Sequence, residues 1–215
     1  AEYTPNFWWI GPEISPVLVE NAEAAMPYLP YYMAGWTISW GGATAPRAPD
    51  VRFIEHKDGS FSVIVLGAGG VEYSFDNPYD AADGLADALI RAFVGGDPEM
   101  IGLLAGAVQI GEGLIIVMGD SFSQTSTVVL HLAVLGHRLF GDKKISVTPG
   151  NPPQGMCLGL TPKVSLPLND DCGEAFHEFV DGYSVMQSDQ LAYLKLWEGE
   201  AAVFTEKIPV RALLF

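Results

Sequence analysis

The sequence predicts an α/β fold, and two observations carry that expectation. A continuous apolar strand, Leu114-Ile115-Ile116-Val117-Met118, is followed by a loop opening at Gly119, a helix over 126–135 ended by Gly136, and a further strand entered through His137. Strand, loop, helix and strand in this order form a parallel-sheet α/β unit, whose central strands are apolar throughout because both faces are covered. Upstream, Val51-Arg52-Phe53-Ile54-Glu55 and the run 61–66 flank His56-Lys57-Asp58-Gly59-Ser60, and Asp-Gly between two such runs signals a hairpin. The expected organisation is an aromatic, proline-rich N-terminal arm over 1–50, a small α+β module over 51–96 and an α/β domain over 97–215.

The arm interleaves Phe7-Trp8-Trp9-Ile10, Tyr28, Tyr31-Tyr32, Trp36 and Trp40 with Pro5, Pro12, Pro16, Pro27 and Pro30. The prolines forbid a long helix and leave room for a short one over 17–26. Such a segment either packs over its own domain or docks on a partner, since Trp and Tyr are enriched at interfaces. Phe7, Trp8, Trp9, Tyr31, Tyr32 and Trp36 are the candidate partner-binding residues. In the module, 71–75 is a third strand and Asn77-Pro78 offers an N-cap with proline at the first helical position. Ala82, Leu85, Ala86, Leu89, Ala92 and Phe93 then recur at helical spacing until Gly95-Gly96. The expectation is a three-stranded sheet with one helix across it. Further on, 107–110, 163–166, 192–197 and 210–215 read as strands and 173–180 as a helix.

Composition excludes several classes of function. Apolar residues make up 49 % of the 215 residues and charged residues 17 %, against roughly 25 % charged in an ordinary domain. No apolar run reaches the ~18 residues of a membrane helix, and the N-terminus lacks the layout of a signal peptide. A soluble, cytoplasmic protein is expected. The formal net charge of −15 disfavours nucleic acid and anionic lipid, whose affinity comes mainly from Lys and Arg. Sparse charge with 24 Gly, 15 Pro and five Trp suits a chain partly covered by protein neighbours. Cys157 and Cys172 are far apart and without a CxxC spacing, so free thiols are expected, with no disulfide and no zinc.

Val63-Ile64-Val65-Leu66-Gly67-Ala68-Gly69-Gly70 imitates the opening of a dinucleotide fingerprint, but Glu72 stands at the third glycine and a strand follows where a helix is required. It reads as a glycine turn between strands. Asp171-x-x-Glu174 reads as a capping box and not, with Asp170, as a metal cluster. His131, His137 and His177 share no ligand spacing.

The run from Leu114 to Asp142 has the layout of a nucleotide-binding P-loop followed by a second acidic motif. Together with Gly136-His137-Arg138-Leu139, Pro149-Gly150, the segment 160–168 and the final Pro209-Val210-Arg211-Ala212-Leu213-Leu214, it resembles the HPr kinase/phosphorylase family. That resemblance covers about 103–215 and implies a P-loop kinase-like domain; the module at 51–96 resembles the N-terminal part of such relatives. The family's activity does not carry over. In G-x-x-x-x-G-K-[ST], Gly119 and Ser126 match, with Thr127 beside them, whereas Gln124 replaces the second glycine and Thr125 the lysine. Phe122 stands where these kinases usually have another glycine. The loop cradles phosphates only when some of its residues adopt φ > 0, and the lysine supplies the positive charge. Of the two adjacent acids in the second motif, Asp142 remains and Lys143 inverts the other.

The resemblance therefore implies a vestigial site at Gly119, Ser126, Thr127 and Asp142, with no cofactor and no metal. The expected function is a catalytically inactive, HPr-kinase-like protein that binds a protein partner or serves as a scaffold or structural subunit of an assembly such as a virion or appendage. The alternative is an atypical ATP-dependent protein serine kinase, with Lys143 or Lys144 reaching the phosphates from the other side.

Overall fold

Period-two alternation runs further toward the N-terminus than the sequence alone suggested. The computed structural model describes residues 6–11, 15–43, 48–66, 70–119 and 122–215, and the chain is mixed α/β, mostly sheet with few helices. It divides into two compact units, Ala1–Gly96 and Asp97–Phe215.

In the first unit the residues expected as an arm supply strands β1 (Asn6–Ile10) and β2 (Ser15–Glu20), the short helix α1 (Leu29–Tyr32) and strand β3 (Ile38–Gly42). They are followed by β4 (Val51–Glu55), β5 (Phe61–Val65), β6 (Val71–Phe75) and helix α2 (Pro78–Gly95). One six-stranded sheet results, in the order β3-β1-β2-β4-β5-β6. Only β2 and β4 run parallel; the other neighbours are antiparallel. The expected short helix over 17–26 is therefore a strand in its first half, because Val17 and Val19 alternate into the core with Val51, Phe53 and Val63, all essentially without exposure. Pro16 fits because the parallel ladder to β4 begins one residue later, at Val17, so its missing N–H costs no bond there. Pro27 and Pro30 fall at the first positions of a 3₁₀ turn and of α1, where no N–H is needed.

Helix α2 begins as its sequence dictates: the Asn77 side chain accepts the Asp80 N–H at 2.9 Å and Pro78 occupies the first turn. Ala81, Ala82, Leu85, Ala86 and Leu89 are buried on one stripe, and the helix contacts β4, β5 and β6. Tyr32 and Trp36, 2 % and 8 % exposed, lie in this core, with the Trp36 ring edge-on to Phe93 at 5.7 Å. The hairpin at Asp58-Gly59 forms as expected: Gly59 has φ +84° and Asp58 accepts both the N–H and the hydroxyl of Ser60. Residues 67–69 of the glycine run lie outside the described residues, but Val65 pairs with Val71 across it.

The second unit contains β7 (Ile101–Leu103), β8 (Gly106–Ile110), β9 (Gly113–Val117), α3 (Phe122–Val134), β10 (Arg138–Gly141), β11 (Ile145–Thr148), β12 (Gln154–Cys157), β13 (Lys163–Ser165), α4 (Glu174–Tyr183), β14 (Ser184–Gln187), β15 (Leu191–Leu194) and β16 (Lys207–Leu214). A seven-stranded sheet has the order β10-β8-β9-β16-β12-β11-β7, and β13-β15-β14 form a smaller one. The expectation of a parallel sheet needs correction. In the large sheet β9 and β16 pair in parallel, and every other neighbouring pair is antiparallel. The strand–helix–strand unit β9-α3-β10 is present, but β8 stands between its two strands, antiparallel to both.

Alternation along these strands fills two clusters. Val108 and Val117 join Val129 and Leu130 of α3 and Phe176 and Val180 of α4. Ala107, Leu114 and Ile116 join Phe140, Ile145, Cys157 and Ile208. This two-sided burial explains why β9 reads as an unbroken apolar run.

Candidate functional site

The nucleotide-like layout folds differently from its sequence signature. Strand β9 ends at Val117 and α3 starts at Phe122, so residues 118–121 alone separate them, where a loop reaching 125 was expected. Positions 122–125 therefore take helical dihedrals, whereas a phosphate cradle needs some residues at φ > 0 to turn successive N–H groups inward. Nothing among Phe122, Gln124 and Thr125 favours the left-handed region, so winding into the helix is the cheaper conformation. The side chains of Phe122 and Gln124 lie outside the described residues.

The two matching polar residues meet each other. Ser126 is 7 % exposed and its hydroxyl donates to the Asp142 carbonyl at 3.1 Å. Thr125, in place of the lysine, is 6 % exposed, and a Cβ on Gly119 would lie 3.3 Å from its hydroxyl. Asp142 itself is 2 % exposed, and its Oδ2 accepts the Lys163 N–H at 3.0 Å. Burial pushes its carboxyl up to about 6, against the pull of that hydrogen bond and of the Lys163 and Lys143 charges. Asp142 thus fastens the end of β10 to the start of β13, and Ser126 ties α3 to the same point. Burial therefore makes the ionised form of this carboxyl costlier than that of an exposed one.

Lys144, the other candidate for reaching phosphates, is 8 % exposed, while Lys143 is half-buried. Lys163 was not singled out from the sequence. Its backbone satisfies Asp142 and its ammonium lies 5.5 Å from the centre of the Tyr193 ring. Nothing in the sequence links positions 142 and 163; only the fold brings them together.

The partner-binding candidates separate into two groups. Tyr32 and Trp36 are core residues, which corrects their assignment to a docking surface: their rings fill the space beneath α2. Phe7, Trp8 and Trp9 are half-buried in β1, and Trp9 lies so close to Gly41 that a Cβ there would meet its Nε1 at 2.0 Å. Tyr31 remains 46 % exposed and Trp40 68 %. Trp40, opposite Trp8 across the strands, donates to Asn6 Oδ1 at 2.5 Å.

The expected capping box is replaced: Asn169 accepts the Asp171 N–H at 3.1 Å to cap a 3₁₀ turn, and α4 starts after Gly173 at φ +81° without a side-chain cap. His177 contacts the Asn169 carbonyl, and the His131 ring lies 4.2 Å from that of Phe176. Among the described residues no group of three His, Cys, Asp or Glu side chains could hold a metal ion. Cys157 and Cys172 are free, and burial pushes the Cys157 thiol up to about 11. Among the described residues no helix is long and apolar enough to cross a membrane. Comparison with protein-family models, with curated proteins and with solved structures found no match for this chain.

Proposed function

We propose that the chain is a non-catalytic relative of the HPr kinase/phosphorylase family that works by holding a protein partner, as a scaffold or as a structural subunit of a larger cytoplasmically built assembly. The observation that carries this reading is the buried Asp142. A kinase of this layout offers its acid to Mg²⁺ and to the acceptor hydroxyl, whereas here the carboxyl accepts a backbone N–H and the neighbouring serine is bonded to its carbonyl. The start of α3 at Phe122 supports the same reading, because it winds positions 122–125 of the expected loop into a helix, away from the φ > 0 conformations of a phosphate cradle. A stripped kinase-like core still presents rigid surfaces, and fold does not dictate chemistry.

The test is thermal unfolding with Mg-ATP and Mg-GTP at millimolar concentration. A ligand at a hundred times its dissociation constant stabilises by about 2.7 kcal/mol, so a working site would show a shift of several degrees. The expected result is none. A saturable shift that Ser126→Ala abolishes would sink the reading and restore the serine-kinase alternative.

A further inference from the structure

We propose that the groove between β6 and α2 docks an extended, lysine- or arginine-bearing segment of a partner protein, added to the sheet as a further strand beside β6. The inference rests on the reading that the chain holds a protein partner, and it names the surface and the partner's chemistry.

The first support is the edge itself. β6 ends the six-stranded sheet and, among the described residues, pairs with β5 alone. Its register runs unbroken from Phe61↔Phe75 to Val65↔Val71, without a bulge. Natural sheets blunt such edges with bulges, prolines or lysines. The opposite edge obeys that rule, since β3 joins β1 through a register shift; β6, Val71-Glu72-Tyr73-Ser74-Phe75, has no bulge, proline or lysine, and its one charge is the exposed, acidic Glu72. A regular edge that carries only an acidic charge repels a copy of itself and remains a template for adding a basic strand.

The second support is the groove. Its volume is about 420 Å³, within the range of roughly 300–1,000 Å³ typical of binding clefts. Tyr73 and Phe75 form its wall on β6, and one stripe of α2, from Asp80 through Asp83, Gly84, Asp87 and Ala88 to Arg91, forms the other. That stripe rises roughly 16 Å at 1.5 Å per residue, and a five-residue strand covers roughly the same length. The groove therefore matches one strand. Gly84 keeps it in shape: a Cβ there would lie 2.1 Å from Phe75 Cζ, so the ring rests against the helix where any side chain would expel it. The wall is preformed, which lowers the ordering cost of binding.

The third support is charge. The groove is lined by three carboxylates, Asp80, Asp83 and Asp87, and by a single cation, Arg91, in a chain of net charge −15. The protein's own Arg91 sits 5.6 Å from the centre of the Tyr73 ring, so an aromatic of the groove already receives a cation. Alternate side chains of an added strand would face α2 and reach the aspartates. A second copy of this chain fits poorly, because edge-to-edge pairing would bring two acidic grooves together.

The experiment selects phage-displayed random decapeptides on the intact chain and measures the selected peptides by fluorescence polarisation. Lysine or arginine should be enriched at alternating positions. Asp83→Asn with Asp87→Asn should weaken binding at least tenfold while leaving the circular dichroism unchanged. N-methylation of one alternating set of peptide amides should abolish binding, and methylation of the other set should be tolerated. On the wild-type chain, amide NMR shifts on peptide addition should centre on residues 71–75, a readout independent of the variants folding. Selection of no basic peptides, equal affinity for the double variant, indifference to N-methylation, or a dimer that competes with peptide would each overturn the proposal. A Mg-ATP response would remove the scaffold reading whatever the groove does; failure of the peptides without that response removes the groove alone.

Discussion

Replacing Asp142 by Asn should stabilise the protein, by an amount that depends on pH in a calculable way. Burial raises this carboxyl from its ordinary value near 3.8 to about 6. Between those values the folded chain binds more protons than the unfolded one, so stability falls as pH rises and levels off above about 6. The gap, at about 1.36 kcal/mol per pH unit, makes the ionised carboxylate cost about 3 kcal/mol at neutral pH. Asn keeps an oxygen for the Lys163 N–H and cannot ionise. The two proteins should therefore be equally stable near pH 3.5, with roughly half of the difference present by pH 5 and all of it by pH 7.5. For a domain of this size 3 kcal/mol corresponds to about 10 °C in Tm. Urea unfolding of both proteins from pH 4 to 8 isolates the effect, because every other titrating group cancels in the difference. A flat difference would mean that burial does not shift the carboxyl at all, and an Asp142→Asn variant weaker than wild type at pH 8 would mean that the carboxylate is stabilised as an anion, as a metal- or substrate-binding acid would be.

Trp36→Ala should cost about 3–5 kcal/mol, since it empties a ring-sized space against Phe93, while Trp40→Ala, at an exposed site, should stay within about 1 kcal/mol; urea midpoints rank them, and the reverse order would return the aromatic segment to a detachable arm. The bidentate pair of Arg138 with Glu206 holds the Glu206 carboxyl below its usual range, chiefly through its hydrogen bonds. Its contribution is present above the ordinary glutamate value and lost as pH falls through the lowered one. Glu206→Gln should thus destabilise by about 1 kcal/mol at pH 7 and by progressively less as pH falls below the ordinary glutamate range, and a pH-independent loss would refute the ion-pair account.

Much of the local structure was legible because it rests on near-neighbour chemistry. The Asp58-Gly59 turn, the Asn77-Pro78 start of α2 and its length follow from backbone preference and spacing, and each forms as its residues dictate. The free thiols were legible from spacing too. What failed were inferences about partners in space. Val17 and Val19 look the same in a short helix and in a strand; only pairing with Trp8 and Asn6 of β1 and with Val51 and Phe53 of β4 decides. The aromatic segment suggested a docking surface because Tyr and Trp serve cores and interfaces alike, and the place of Tyr32 and Trp36 beneath α2 was fixed by a helix far along the chain.

The same division holds at the candidate site. The sequence by itself determined that the run 119–126 departs from the phosphate-loop pattern at its second glycine and its lysine, since residue identity is all that this requires. Only the tertiary structure decided how these residues are placed. It wound Phe122 into α3, closed Asp142 into the interior against Lys163, and set three aspartates of one helix face beside a regular strand edge. The physical reason is that burial, and with it the proton affinity of a carboxyl and the usefulness of an edge, is a property of what the whole chain folds around a residue, which no local spacing encodes.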